Sequence, residues 1–231
     1  MAKRTKNRRQ TGCRRCGTCC VKGGPALHIE DQSLITAGII DKQDLYTLRK
    51  GEVVRNIDDT PAPLTHEIIK IKGVGKDTWA CRFYDSSQKA CRIYAHRPVE
   101  CRALKCWDPD PLRQVMTLPY LQRTHFIEPG EDIQKVIVAH EDRCAYETMA
   151  NAVEALNGPG AAGAADQILD LLHYDQVVRT FVPQKLKLNR ETMDFFFGRP
   201  MTTTIQMYGL KVRQEGDDFR LVPEKGNPRV A

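Results

Sequence analysis

The stretch Cys13-Arg14-Arg15-Cys16-Gly17-Thr18-Cys19-Cys20 puts four cysteines into eight residues, as two overlapping C-x-x-C steps closed by an adjacent pair. Two residues between thiols is the separation at which one turn of chain aims both sulfurs at a single ion, or at two corners of one cluster. In such a turn the backbone N–H groups fold in toward the sulfurs. Gly17 inside the run and Gly12 just before it relieve the crowding the turn creates. The other cysteines are Cys81, Cys91, Cys101, Cys106 and Cys144, so eight of the nine lie between residues 13 and 106.

Disulfides, redox thiols and metal compete for this pattern. The cysteine count is odd, and neighbours such as Cys19 and Cys20 bridge each other only under strain, so a disulfide framework fits poorly in a reducing compartment. A redox C-x-x-C needs one pair at a helix start in a thioredoxin-like unit, and no such β-α-β pattern surrounds these four thiols. Metal remains. The spacing of Cys13, Cys16 and Cys19 suits three cysteines wrapping an iron–sulfur cubane and equally suits zinc knuckles, so the cofactor reading is zinc or an iron–sulfur cluster. Four thiolates on either would leave about two negative charges. Arg14, Arg82, Arg92 and Arg102 each follow a cysteine directly, where a guanidinium can offset that charge.

Working outward, the 231 residues are 41% hydrophobic and 28% charged, which is ordinary globular composition. The net charge of +6 is concentrated: residues 1–22 hold 8 of the 35 basic residues and no acid. A nearly neutral remainder argues against a nucleic-acid-binding face and leaves residues 1–12 as a flexible basic arm. No apolar run approaches the roughly 18 residues of a membrane span, and the basic start lacks the apolar core of a secretory signal. The expected location is therefore the cytoplasm, with a protein partner left open.

Further blocks are Trp79-Ala80-Cys81-x-Phe83 and Cys91-Arg92-Ile93-Tyr94-x-x-Arg97-Pro98-x-x-Cys101-Arg102, followed by Cys106. In order and internal spacing, these blocks and the first cysteine run resemble the bacterial YkgJ-type cysteine-cluster family, described as a zinc- or iron-chelating domain, over roughly residues 13–106. The resemblance implies metal ligation by Cys13, Cys16, Cys19, Cys20, Cys81, Cys91, Cys101 and Cys106. A similar block occurs in flagellin lysine-N-methylases, which implies an alternative: a cluster-bearing enzyme or accessory in methyl or electron transfer. On that alternative Arg97 and Tyr94, with His28, line a cofactor cavity. Leu104-Lys105-Cys106 departs from the family's more usual aromatic-Pro-Cys ending. Cys144 lies outside the block. Four residues after His140, it shares a helix face with it and both are further candidate ligands; alternatively Ile133–Ala139 is a strand, a helix starts near Asp142, and Cys144 in its first turn is a buried thiol or a ligand from the helix N-terminus.

The pattern elsewhere reads as α+β. A loop-rich, metal-stapled cysteine domain spans residues 13–157, and a helical C-terminal region with a terminal hairpin spans 158–231. Asp31 opens a short helix, and Asp41 caps a second that runs through Arg49 to Gly51. Segments 66–72 and 78–84 form a hairpin about Gly73-Val74-Gly75, and Asp85-Ser86-Ser87 turns the chain between Cys81 and Cys91. Residues 142–156 and 164–182 are helical, with Ile168, Leu169, Leu171, Leu172, Val177, Val178 and Phe181 as the core face. A short helix near 190–197 and a hairpin over 203–222, turning at Glu215-Gly216-Asp217-Asp218, end the chain. Gly73-Val74-Gly75-Lys76-Asp77 fails as a phosphate-binding loop, because Lys70 and Asp77 stand where Gly and Ser or Thr belong. Asp108-Pro109-Asp110-Pro111 reads as a rigid turn.

Overall fold

The computed structural model describes residues 16–55, 60–75, 79–159, 161–215 and 218–224. Cys13, the arm at 1–12 and the centre of the last turn at 216–217 lie outside the described residues. In chain order the elements are α1 (Gln32–Thr36), β1 (Leu45–Leu48), β2 (Val53–Arg55), β3 (Pro61–Pro63), β4 (Ile68–Ile71), β5 (Tyr84–Asp85), β6 (Ala90–Cys91), α2 (Val99–Ala103), α3 (Asp110–Val115), α4 (Asp132–Arg143), α5 (Tyr146–Ala155), α6 (Ala161–Leu186), α7 (Met193–Phe197), α8 (Met201–Thr204), β7 (Leu210–Glu215) and β8 (Asp218–Pro223). Strands pair only two by two, as β1 with β4, β2 with β3, β5 with β6, and β7 with β8. The fold is α+β, as the sequence pattern implies. No helix among the described residues is long and apolar enough to cross a membrane.

The chain forms two compact units that interleave in sequence, one within Met1–Ile40 and Ile71–Leu121, the other within Asp41–Lys70 and Gln122–Ala231. The first is held by single bonds between loops. Ile71 N donates to Pro25 O at 3.1 Å, Val74 N to Ala80 O at 2.7 Å and Arg82 N to Lys72 O at 2.9 Å. A Cβ on Gly24 would stand 2.3 Å from Ile71 O, so only glycine lets this loop lie against the chain there. Asp85 Oδ1 accepts from Ser87 N, Ser87 Oγ and Gln88 N, which makes the turn expected between Cys81 and Cys91. Among the described residues, the apolar side chains this unit buries are Ala26, Leu27, Leu34, Ile40, Ile71, Cys81, Phe83, Val99 and Leu121. That is a thin core for so much loop.

The second unit has the conventional core. Met149 and Ala152 of α5, Ile168, Leu171 and Leu172 of α6, Met201 of α8, Leu210 of β7 and Phe219 of β8 pack together. The α6 face corrects the sequence expectation in part. Ile168, Leu171, Leu172 and Val178 are buried, but Val177 and Phe181 are 50% and 55% exposed. The buried stripe follows the i, i+3, i+4, i+7 and i+10 positions from 168, and a polar residue, Asp175, occupies its middle. Off that stripe Leu169 is half-buried against the core, whereas Val177 and Phe181 face solvent.

Three further expectations are corrected and one open alternative is decided. Asp41 caps only a single tight turn, Lys42–Asp44, because its carboxylate accepts from Gln43 N and the chain then extends into β1. There β1 pairs with β4, and Thr47 donates its hydroxyl to Phe195 O at 2.7 Å, contacts that outweigh the weak helical preference of Leu-Tyr-Thr-Leu. The β4 partner is therefore β1, and the Gly73 hairpin survives only as the Gly73–Cys81 bridge with its flanking bonds. Residues 133–139 are helical within α4, not a strand, since Ile133, Ile137 and His140 form one buried face. At the C-terminal end, residues 201–208 are helical and the hairpin begins at Leu210.

Candidate metal centre

The first cysteine run is shaped by Gly17, whose φ of +76° is a left-handed conformation. Val21 N donates to Gly17 O at 3.0 Å and Lys22 N to Cys19 O at 3.2 Å, so the chain curls around Cys19 and Cys20. The side of Gly17 that would carry a Cβ is occupied by the Tyr84 ring, with the Tyr84 hydroxyl oxygen 2.2 Å from that position. Gly17→Ala combines a left-handed backbone with this overlap and is expected to destabilise the first unit by about 2 kcal/mol or more. Urea denaturation of the purified protein measures it.

Two other blocks are brought to this turn by main-chain bonds. Cys81 N donates to Cys20 O at 2.7 Å, which ties the second block directly to the first. Cys91 lies in β6 opposite Tyr84, the residue that covers Gly17. Cys101 sits in the middle of α2, the single helical turn that follows Arg97-Pro98.

The thiols that result feel one another. Burial first, then Cys19, which also hydrogen-bonds it, Cys81 and Cys91, together push the Cys20 thiol up to about 12. Cys101 is raised first by burial and then by Cys81, Cys91, Cys20 and Cys19. Burial likewise raises Cys81; the Phe83 N–H and the Arg92 guanidinium oppose it, while Cys91 and Cys19 reinforce it. Cys19, Cys20, Cys81, Cys91 and Cys101 are thus gathered within electrostatic reach, and ionising any of them without a cation would place negative charge among crowded, partly desolvated neighbours.

The remaining sequence candidates are placed as follows. Cys16 is exposed, its sulfur 3.2 Å from Thr18 Oγ1. Cys106 is exposed between Lys105 and Asp108, which form an antiparallel bridge. Among the described residues no three Cys, His, Asp or Glu side chains already stand in metal-holding geometry. Arg97 and Tyr94 engage each other: the guanidinium stacks 3.8 Å over the Tyr94 ring and Arg97 Nε donates to Tyr94 O at 3.0 Å. Of the arginines that follow cysteines, Arg92 acts on Cys81, while Arg102 donates to Arg97 O and faces Glu30. Cys144 belongs to the second unit, where it follows α4 and is fully buried in the apolar core. Its thiol donates to Leu171 O at 3.6 Å, and burial raises it to about 12. His140, four residues earlier, turns its Nε2 to Asp175 Oδ1 at 2.8 Å.

What the gathered thiols can hold follows from their chemistry. The donors are sulfur alone, the set of a four-cysteine zinc site and of an iron–sulfur cluster, and the residues present fit either. Residues 12–145 match the CxxCxxCC family, described as a "putative zinc- or iron-chelating domain". The chain belongs to the CxxCxxCC family. The matched span contains all nine cysteines and more than half of the chain. The family description leaves zinc and iron open, as the sequence spacing does. Comparisons with curated proteins and with solved structures find no match.

Asp31 and Glu100 escaped the sequence reading as site residues, and His28 entered it only as lining of a cofactor cavity. His28, Asp31 and Glu100 are neither cysteines nor next to the first run, yet they join the segment after it to the helix that carries Cys101. The signals were a carboxylate directly before Cys101 and a helix-capping Asp31, each ordinary on its own.

Proposed function

We propose that this CxxCxxCC protein holds zinc or an iron–sulfur cluster on Cys19, Cys20, Cys81, Cys91 and Cys101, with Cys13, Cys16 and Cys106 completing the donor set, and that the metal's first role is to hold the cysteine unit together. The observation that carries this reading is the gathering of thiols from three distant chain blocks around the Cys81 N to Cys20 O bond. Disulfides do not account for it, since none forms among the described cysteines. A thin apolar core supports the structural role, because a metal that binds only the folded site adds its binding energy to folding. The bound ion would supply the positive charge that lets these thiols ionise. The chain's own part is to bring them together and to exclude water from Cys81.

The test is anaerobic purification of the native protein, followed by an absorbance spectrum and zinc, iron and acid-labile sulfide analysis on one sample. One or two zinc ions in colourless protein support the zinc form. A broad band near ~400 nm with iron matched by sulfide supports the cluster form. Protein that retains neither metal, and takes up neither when reduced and reconstituted, overturns the proposal.

A further inference from the structure

Asp31 and Glu100 tie the loop after the first cysteine run to α2 from both sides. The Asp31 carboxylate, fully buried, accepts Val99 N at 2.9 Å through one oxygen and His28 N at 3.1 Å through the other. Val99 is the first residue of α2, so Asp31 satisfies a backbone donor that the helix itself leaves open. In return Glu100, on α2, accepts Ala26 N at 2.8 Å and faces His28 Nε2 at 3.3 Å. The other His28 nitrogen is 3.2 Å from Leu118 O, and Tyr120 packs on the imidazole with ring centres 4.4 Å apart. Both tied residues of α2 lie within two positions of Cys101. Such a short helix has no length with which to fix its own orientation.

We propose that Asp31 is a positioning residue for the metal centre: its two-pronged bond to Val99 N and His28 N sets where α2 presents Cys101 to the thiols of the first run. The inference rests on the metal reading above. It deepens that reading by assigning a role to a residue that touches no sulfur. A buried carboxylate that accepts two main-chain N–H groups on separate segments holds them at one separation, and its removal leaves both donors without that acceptor in the interior. Outer contacts that orient a ligand typically govern 10–100-fold in metal affinity.

The test is cobalt(II) titration of the reduced full chain, wild type against Asp31→Ala, Asp31→Asn and the control Asp110→Ala. The readouts are the sulfur-to-cobalt charge-transfer band and the visible ligand-field bands, which report how many thiolates bind. Asp31→Ala is expected to bind about 10-fold more weakly or worse, with a reduced charge-transfer band. Asp31→Asn keeps one acceptor oxygen and should fall between Ala and wild type. Asp110, an exposed acid paired with Arg113 in the same unit, carries equal charge without the ties, and its loss should change nothing. Should Asp31→Ala fail to fold, the Asn variant decides. Wild-type affinity and spectrum in the variant that folds overturn the proposal, because loss of the ties then does not reach Cys101. Absence of cobalt binding by the wild type overturns the zinc form of the metal reading instead.

Discussion

Stripping the metal from the native protein is expected to open the cysteine unit, residues 16–40 and 71–121, while α4, α5 and α6 stay folded. The two units differ in what holds them. The second packs Met149, Ile168, Leu172, Met201 and Phe219 into a continuous core. The first buries few large apolar groups, and its chain is tied mostly by isolated main-chain bonds such as Cys81 N to Cys20 O. A bond of that kind contributes about 1 kcal/mol net, too little to order long loops. A structural zinc contributes on the order of 10 kcal/mol at neutral pH, so its loss exceeds what the loops can supply themselves. Burial and crowding keep the Cys20, Cys81 and Cys101 thiols protonated above their ordinary range, so metal uptake must expel protons and binding should tighten as pH rises. Amide exchange by mass spectrometry, with and without chelator, measures the outcome segment by segment. Cys81→Ser and Cys101→Ser should reproduce the chelated pattern without chelator. Equal protection of the first unit in both states would sink the idea that metal holds it.

Much of that centre was legible because its signal is local and chemical. The C-x-x-C steps, Gly17 and the turn at Asp85-Ser86-Ser87 each rest on contacts within a few residues, and the structure places Gly17 at positive φ and Asp85 on three donors as that chemistry requires. Sequence reasoning lost ground where distant chain decides. Leu45-Tyr46-Thr47-Leu48 extends because β4 and the carbonyl of Phe195, far along the chain, take its hydrogen bonds. Val177 and Phe181 were read into the core because apolar character reports affinity for an interior, not which side of α6 has one. The residues that tie α2 in place were hidden for the same reason. Asp31 becomes informative only once Val99, 68 positions later, is known to stand on it.

Asp175→Asn is expected to cost the second unit about 3–5 kcal/mol. Asp175 is 2% exposed in the middle of α6. Its oxygens accept Arg179 Nε at 3.0 Å, His140 Nε2 at 2.8 Å and Met201 N at 2.9 Å, so one carboxylate joins α6 to α4 and α8. Burial alone would raise its pKa; Arg179 and His140 overcome that and hold the carboxyl at about 2. For His140 the balance runs the other way. Burial lowers its pKa more than Asp175 raises it, and its Nδ1 finds no hydrogen-bond partner, so a second ring proton there would be stranded. The pair is therefore a neutral imidazole donating to a carboxylate. Both folded-state values lie below the unfolded ones, so each group contributes stability that is complete at neutral pH and is lost on acidification. The loss begins below about 6.5 through His140 and deepens below about 4 through Asp175. For Asp175 the part lost toward pH 2 is about 2.5 kcal/mol. In Asp175→Asn the lower step should vanish. Helical circular dichroism is the suitable probe, because the long helices all belong to this unit, and urea midpoints from pH 7 to pH 3 give the curve. A variant with wild-type stability at pH 7, or one that keeps the same fall between pH 4 and pH 3, would show that Arg179 and His140 find equivalent partners without this carboxylate.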